Sequence, residues 1–367
     1  MKILKFHPIF IALVWLTVLA SCHKDKVAPK VINPTVNPVG GIYVLNQGEF
    51  EIGKATLTYY NIASKTLVPD QYGVANGPHP DFYGNDIQVY GSKMYIVGGY
   101  TIDIVDPKTS KLVKQVNFQG QHITFYKGEA LVTSYDSIVA VIDTATCSIT
   151  KKISLGYIGY SGGIAVAQDK LYVANGSVVD NGVSVIDLTT LTVIKTILVI
   201  HGPSGVAADA NGNVYVLSPF DDDFQYPDPL PPNYPVFNFN GGITVIDSKT
   251  DKIIFQSQEQ QPRSIRFGSG IPLAIVGDFV YFFIDDLKLM AFNTKTHLYT
   301  NFITDGTPLI SPYSLTVNPA TGEVFVGDAK NNDATANGSL YVFDKAGKLE
   351  YTLATGVNPI QILLVNK

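Results

Sequence analysis

Cysteine is scarce: Cys22 and Cys147 are the only two in 367 residues. Cys22 ends an N-terminal apolar stretch, so a chain processed there keeps Cys147 alone in its fold. That excludes an internal disulfide and any cysteine-based metal cluster. Also missing are a His-rich metal spacing, a Gly-x-Ser-x-Gly elbow and a phosphate-binding loop. Basic charge is in short supply as well. With 26 Lys and Arg against 31 Asp and Glu the net charge is −5, and loss of Lys2 and Lys5 makes it more negative. An acidic chain grips a phosphate backbone poorly, so nucleic acid is not an expected partner. Stretches of helical period are lacking. What abounds is Val, Ile, Tyr and Phe, punctuated by 32 Gly and 21 Pro, the composition of an all-β protein.

The apolar run from Ile9 to Ala20 follows Lys2 and Lys5 and is too short to span a bilayer comfortably. Residues 1–21 therefore read as a signal peptide. It ends in Leu19-Ala20-Ser21-Cys22, which resembles the lipobox of bacterial lipoproteins. The resemblance implies cleavage before Cys22, a diacylglycerol on its thiol and acylation of the new amino terminus. Each buried methylene contributes ~0.8 kcal/mol, so several acyl chains hold a protein firmly on a membrane. From Cys22 to Gly40 the chain has Pro29, Pro34 and Pro38 and no apolar periodicity, and reads as a lipidated Cys and flexible tether, 22–40. Lys24-Asp25 resembles the surface-export signal of Bacteroidetes lipoproteins. It implies an outer membrane lipoprotein exposed at the cell surface, with the periplasmic face as the alternative.

Residues 41–367 are organised by a repeat. Two apolar residues precede an Asp or Asn, and Ser, Thr or Gly follows three positions later. The seven acidic or amide positions are Asn61, Asp106, Asp143, Asp187, Asp247, Asn293 and Asp344, spaced 37 to 60 residues apart. An Asp or Asn at the end of a strand bonds backbone amides two or three residues on, so these carboxylates are expected to be structural. A second apolar strand precedes each copy, as at Met94-Tyr95-Ile96 and Leu171-Tyr172-Val173. Before it lies a further short strand, often entered by Pro, as at Pro203, Pro262, Pro312 and Pro359, and a fourth strand follows the turn. Four strands repeated seven times predict a seven-bladed β-propeller. The first strand missing ahead of Ile42 is supplied by 359–365, so the C-terminal strand is expected to close the ring and remove an edge.

Leu171-Tyr172-Val173-Ala174-Asn175, running on to Val183-Ser184-Val185-Ile186-Asp187, resembles the YVTN repeat of YncE-like propellers. That fold hosts many functions, so the resemblance does not give one.

Loop length locates function better. In a meander, strand one–two and three–four turns share one face of the disc, and two–three and blade-to-blade loops share the other. Three–four turns are uniformly short. One–two turns are uniform except for a longer Gly268 to Gly277 segment. From strand two to the landmark Asp or Asn the spacing is 10 or 11 in three blades, but 17 in the first, 14 in the fourth, 31 in the fifth and 18 in the seventh. One-sided elaboration points to a binding face. The fifth-blade insertion, Ser218 to Gly241, holds Phe220, Asp222, Phe224 and Tyr226, with Tyr83, Tyr100, Tyr135, Tyr160 and Tyr313 expected from other loops. Rigid aromatics with polar tips suit a flat ligand or a protein partner, or the insertion packs on itself as a lid.

At the entrance of the innermost strands, corresponding positions are Asp86, His122, Gly163, Gly205, Ser264, Ser314 and Gln361, with Arg263 and Tyr313 one place earlier. Charges near the axis need a partner or a ligand, and an Asp86–Arg263 ion pair across the channel is the plain alternative. Acidic stretches at Asp221 to Asp223 and Asp328 to Asp333 match no known calcium-loop spacing, so no metal or cofactor is expected.

Three function classes stay open. The first is a binding protein: a Bacteroidetes-type lipoprotein with a YncE-like propeller resembles the BtuG family of surface cobalamin receptors. The resemblance implies non-covalent capture of a cobalamin-like small molecule and its transfer to a TonB-dependent transporter. The expected ligand-binding residues are Asp86, His122, Tyr135, Tyr160, Asn175, Phe220, Asp222, Phe224, Tyr226, Arg263, Tyr313 and Asn331. The second is a propeller enzyme of lactonase or quinoprotein type using Asp86, His122 and Arg263. A protein or glycan interaction module is a third.

Overall fold

Apolar runs too short for a helix must lie in strands, and where a run is apolar on both faces the strand is covered on both. Val139, Ala140, Val141 and Ile142 are all fully buried, as are Leu171, Tyr172, Val173 and Ala174. Each run is a middle strand of a four-stranded sheet. The outermost strands behave differently: Ser148–Ser154 and Thr192–Leu198 are largely exposed and carry Thr150, Lys151, Lys152, Thr192, Lys195 and Thr196.

The computed structural model describes residues 39–48, 54–77, 83–156, 161–175, 181–218, 241–258, 272–284, 287–330 and 335–366. All belong to the unit Pro38–Lys367. They form seven four-stranded antiparallel sheets arranged as the blades of a ring. In blade one Pro359–Asn366 pairs with Val39–Asn46, which pairs with Thr56–Asn61 and then Thr66–Val68. Val44 faces Ile362 across the first of these ladders, so the C-terminal strand closes the ring as expected. The first strand begins at Val39, inside the stretch read as tether.

Blade six corrects the sequence reading. Its innermost strand is Leu273–Val276, with Val276 facing Phe279 across a tight turn at Gly277-Asp278. The long one–two turn expected at Gly268 to Gly277 is therefore not how the blade is built, and Pro262 lies outside the described residues. A helix, Gln71–Asn76, was also not foreseen. Asp70 caps it by accepting from the Gly73 amide at 3.0 Å, and Tyr72 donates to buried Asp103 at 2.7 Å. These contacts pin the connection between blades one and two.

The seven landmark residues end strand three and hold the turn that follows. Asp106 accepts from the amides of Lys108 and Thr109, both at 2.9 Å, and from the Thr109 hydroxyl at 3.0 Å. Asn61, Asp143, Asp187, Asp247, Asn293 and Asp344 cap their own turns in the same way. Backbone amide bonds hold the Asp106, Asp143 and Asp187 carboxyls below the usual carboxylate range. Each turn then passes through a residue in the left-handed region: Lys65, Ser110, Cys147, Leu191, Asp251, His297 and Gly347. Only the last is glycine, at φ +76°, where a Cβ would run into the Phe302 carbonyl.

These left-handed residues are where the preceding blade docks. Tyr43 of blade one meets the Ser110 hydroxyl of blade two at 3.2 Å, and Tyr172 of blade four donates to Asp251 of blade five at 2.6 Å. Leu131 of blade three has no hydroxyl and packs in one apolar cluster with Leu191 of blade four. A second tie comes from the outermost strands. Lys114 reaches the Thr146 carbonyl at 2.8 Å, Lys195 the Asp251 carboxylate at 3.2 Å, and the Phe255 ring lies on His297 with centroids 4.0 Å apart. Burial alone would raise the Asp251 carboxyl, but hydrogen bonds from Lys170, Tyr172 and Lys195 outweigh it and hold it low.

Among the described residues the Tyr95 hydroxyl of blade two is buried without a hydrogen-bond partner, because the position it should meet in blade three is Cys147. Burial pushes that hydroxyl up to about 12. Cys147→Ser should recreate the Tyr43–Ser110 arrangement and stabilise the protein by about 1 kcal/mol. Urea unfolding of the Tyr95→Phe, Cys147→Ser double-mutant cycle checks this: the gain should vanish once Tyr95→Phe has removed the hydroxyl.

Candidate functional site

Seven innermost strands leave one edge each toward the axis, and together they line a central cavity of about 540 Å³. Asp86, His122, Gly163, Ser314 and Gln361 each stand third in their strands, as the repeat predicted, and all line it. In blade six the described lining residues are Pro272 and the strand after it, and Arg263 and Ser264 lie outside the described residues. Gly163 is small for packing: a Cβ there would meet the Val206 amide at 2.7 Å.

Asp86 is a clasp between three blades. Its Oδ2 accepts from the Ile123 amide of blade three at 3.0 Å. Its Oδ1 accepts from its own neighbour Ile87 at 2.7 Å and from Gln361 Nε2 of the closing strand at 3.1 Å. Burial raises the carboxyl, and His122 with these donors pulls the other way. His122 sits close enough to interact with that charge, but burial dominates and keeps the imidazole below its usual pKa. Its Nε2 is enclosed and has no hydrogen-bond partner among the described residues.

Above the clasp is a rim of tyrosines and amides. Burial, then the nearby Tyr313 and Tyr135, holds the Tyr83 hydroxyl far above the usual tyrosine range, which brings the three side chains together. Tyr313 is buried and donates to Gln47 Oε1 at 3.2 Å. Tyr135 is 38% exposed. Asn85 Nδ2 donates to its hydroxyl at 3.3 Å and to the Gly120 carbonyl at 2.7 Å. Gln121 also bonds Tyr135, and its Oε1 accepts from the Ser161 amide at 3.1 Å. Among the described residues lining the cavity there is no Lys or Arg.

The described part of the predicted site thus gathers Asp86, His122, Tyr135 and Tyr313. Asn175 is buried at the end of strand two of blade four and accepts from Ser184 Oγ at 2.9 Å. Cys22, Tyr160, Phe220, Asp222, Phe224, Tyr226, Arg263 and Asn331 lie outside the described residues. Sequence reasoning missed Gln47, Asn85 and Gln121. A signal existed for the last two, which occupy the place before Asp86 and His122, where Tyr313 stands in blade seven. Among the described residues no three His, Cys, Asp or Glu side chains gather to hold a metal. Asp328, weighed as part of a calcium loop, accepts instead from the amides of Ile310, Ser311 and Lys330.

Residues 40–219 match the model of a family described as a domain of unknown function, DUF5074. No curated protein matches the chain. Solved structures do. A quinonprotein alcohol dehydrogenase-like protein from Bacteroides thetaiotaomicron superposes with a TM-score of 0.68 at 17% identity, over 89% of this chain and 79% of that one. Hydrazine synthase of Kuenenia stuttgartiensis gives 0.55 at 15% identity, over 74% and 86%. BamB from Moraxella catarrhalis gives 0.51 at 12%, over 89% and 85%. At such identities the likeness is one of fold.

Removing the Asp86 clasp strands buried amide donors from two blades. Asp86→Ala should therefore destabilise by about 2–4 kcal/mol, and Asp86→Asn by less, since it keeps one acceptor oxygen. Urea unfolding reads this as a lower midpoint at unchanged slope, and an unshifted midpoint would remove the clasp role.

Proposed function

We propose that the protein is a lipid-anchored binding propeller, held on the outer membrane through Cys22. It captures an uncharged small molecule on the face built from two–three and blade-to-blade loops. The observation that carries this reading is the asymmetry of the disc. On one face the turns are committed to the preceding blade, through residues such as Ser110 and Asp251. On the other, Tyr83, Tyr135 and Tyr313 converge with Asn85 and Gln121 over a cavity of drug-like size. Rigid phenol rings with polar tips bind flat ligands at low entropic cost. The sequence resemblance to surface cobalamin receptors makes a corrinoid the first ligand to test, with a TonB-dependent transporter as the partner that receives it.

The Asp86–His122 pair is the feature that favours an enzyme. As an acid–base couple it is poorly arranged, because both Asp86 oxygens already accept hydrogen bonds and only the imidazole is left to move a proton. An anionic redox cofactor of quinone type fits the described lining badly, since it offers one carboxylate and no cation.

Purified protein from residue 23 onward should carry cyanocobalamin through gel filtration as a coloured complex. Tyr135→Ala should weaken that binding about tenfold, or 1.4 kcal/mol, without lowering stability. Failure of the unmutated protein to retain the colour would overturn the corrinoid.

A further inference from the structure

The Tyr135 hydroxyl is a polar group of the binding face whose direction its neighbours dictate. Asn85 and Gln121 both bond its oxygen, and a backbone group with a single role fixes which end of each amide does so. Asn85 reaches the Gly120 carbonyl at 2.7 Å. A carbonyl only accepts, so the atom there is Nδ2, and the same Nδ2 meets the Tyr135 oxygen at 3.3 Å. Gln121 Oε1 accepts from the Ser161 amide at 3.1 Å. An amide N–H only donates, so the end left for Tyr135 is Nε2. Burial raises the phenol and both side chains pull it down, as donors to its oxygen do.

A phenol oxygen accepts about two hydrogen bonds and donates one. With two amide N–H groups on it, Tyr135 has only its hydrogen left to offer, and neither N–H group can receive that. No acceptor among the described residues takes it, and Tyr135 reaches the surface, 38% exposed. Tyr313 shows the contrast, since its hydroxyl is buried and donates inward to Gln47 Oε1. Charge narrows the partner further. The described lining of the cavity below carries no Lys or Arg. In the outer groove beside Tyr100, Lys152 shares the lining with Asp136. An anion thus meets no uncompensated positive charge there.

We propose that Tyr135 is the hydrogen-bond donor by which this face recognises its ligand, with Asn85 and Gln121 as the positioning residues that turn its hydrogen outward. The group it takes is an uncharged acceptor, a carbonyl oxygen of amide or ester type. This deepens the binding reading above and rests on it for the claim that the ligand is held on this face.

The test uses protein from residue 23 onward with ¹³C at the tyrosine Cζ atoms, whose shift follows hydrogen bonding at the hydroxyl; Tyr135→Phe assigns the signal. N,N-Dimethylacetamide, which only accepts, should move the Tyr135 signal saturably. Methylammonium, which only donates, and acetate, which is charged, should move it little. No response to dimethylacetamide, or a larger response to either ion, overturns the proposal. Gln121→Glu separates positioning from packing. It keeps an acceptor for the Ser161 amide, but at pH 7 its carboxylate takes the Tyr135 hydrogen, so the dimethylacetamide response should vanish. As the pH falls to about 4 the carboxyl gains a proton and donates again, and the response should return; a merely structural lesion would not reverse. A response that survives in Gln121→Glu at pH 7 overturns the positioning role. The same proteins are then mixed with cyanocobalamin. Binding about fivefold weaker in Tyr135→Phe, with no further loss on adding Gln121→Glu, supports the proposal. Undiminished binding in Tyr135→Phe overturns it and leaves corrinoid capture standing. Dimethylacetamide shifts without any cyanocobalamin binding keep the donor and discard the corrinoid.

Discussion

No blade of this propeller can bury its own middle strands, so everything depends on how one blade grips the next. One recurring place of that grip is the left-handed residue that follows each Asp- or Asn-capped turn. Its side chain is matched to what the preceding blade sends: serine or aspartate to a tyrosine hydroxyl at Tyr43 and Tyr172, leucine to Leu131. Where the match fails, as at Tyr95 and Cys147, a hydroxyl is left buried without a partner among the described residues. Pairings of this kind explain why the turns stay short on that face. A longer turn would move the docking residue out of reach.

Commitment of one face frees the other. Loops on the far side hold neighbouring blades through particular residues, such as the Asp86 clasp and the Tyr72–Asp103, Gln121–Ser161 and Tyr313–Gln47 bonds. They can therefore vary in length, and the short helix at Gln71–Asn76 and the tyrosine rim both lie within such connections or beside them. Asp86 shows that a charge near the axis can be wholly structural. His122 beside it is different, because its Nε2 is enclosed without a partner among the described residues.

Much of the scaffold was legible because turn capping requires a specific side chain at a specific offset. Seven Asp or Asn residues fix seven turns, and counting them fixes the closing strand. Blade six was misread because Pro262 and the apolar residues after it imitate the entrance used in other blades, whereas Leu273–Val276 is a four-residue strand with no such mark. The helix was invisible for a related reason: six residues containing Gly73 show no period, and its stability comes from Asp70 and Tyr72. The site was legible only in part. Strand position brought Asp86, His122 and Tyr313 to the axis, but sequence does not tell an amide bonded within its own blade, such as Asn175, from one that reaches the next blade, such as Asn85. That distinction depends on which neighbour is in reach, Ser184 inside the blade or Tyr135 across the gap.

The central claim is that one face of the disc is scaffold and the other binds. Hydrogen–deuterium exchange of the protein with and without cyanocobalamin tests it directly, because each face is sampled by its own peptides. Slower exchange is expected in peptides covering 83–86, 120–123 and 312–314, with no change across the turns at 106–111, 144–147 and 188–191. Protection that falls on the turns, or on neither face, would contradict the account.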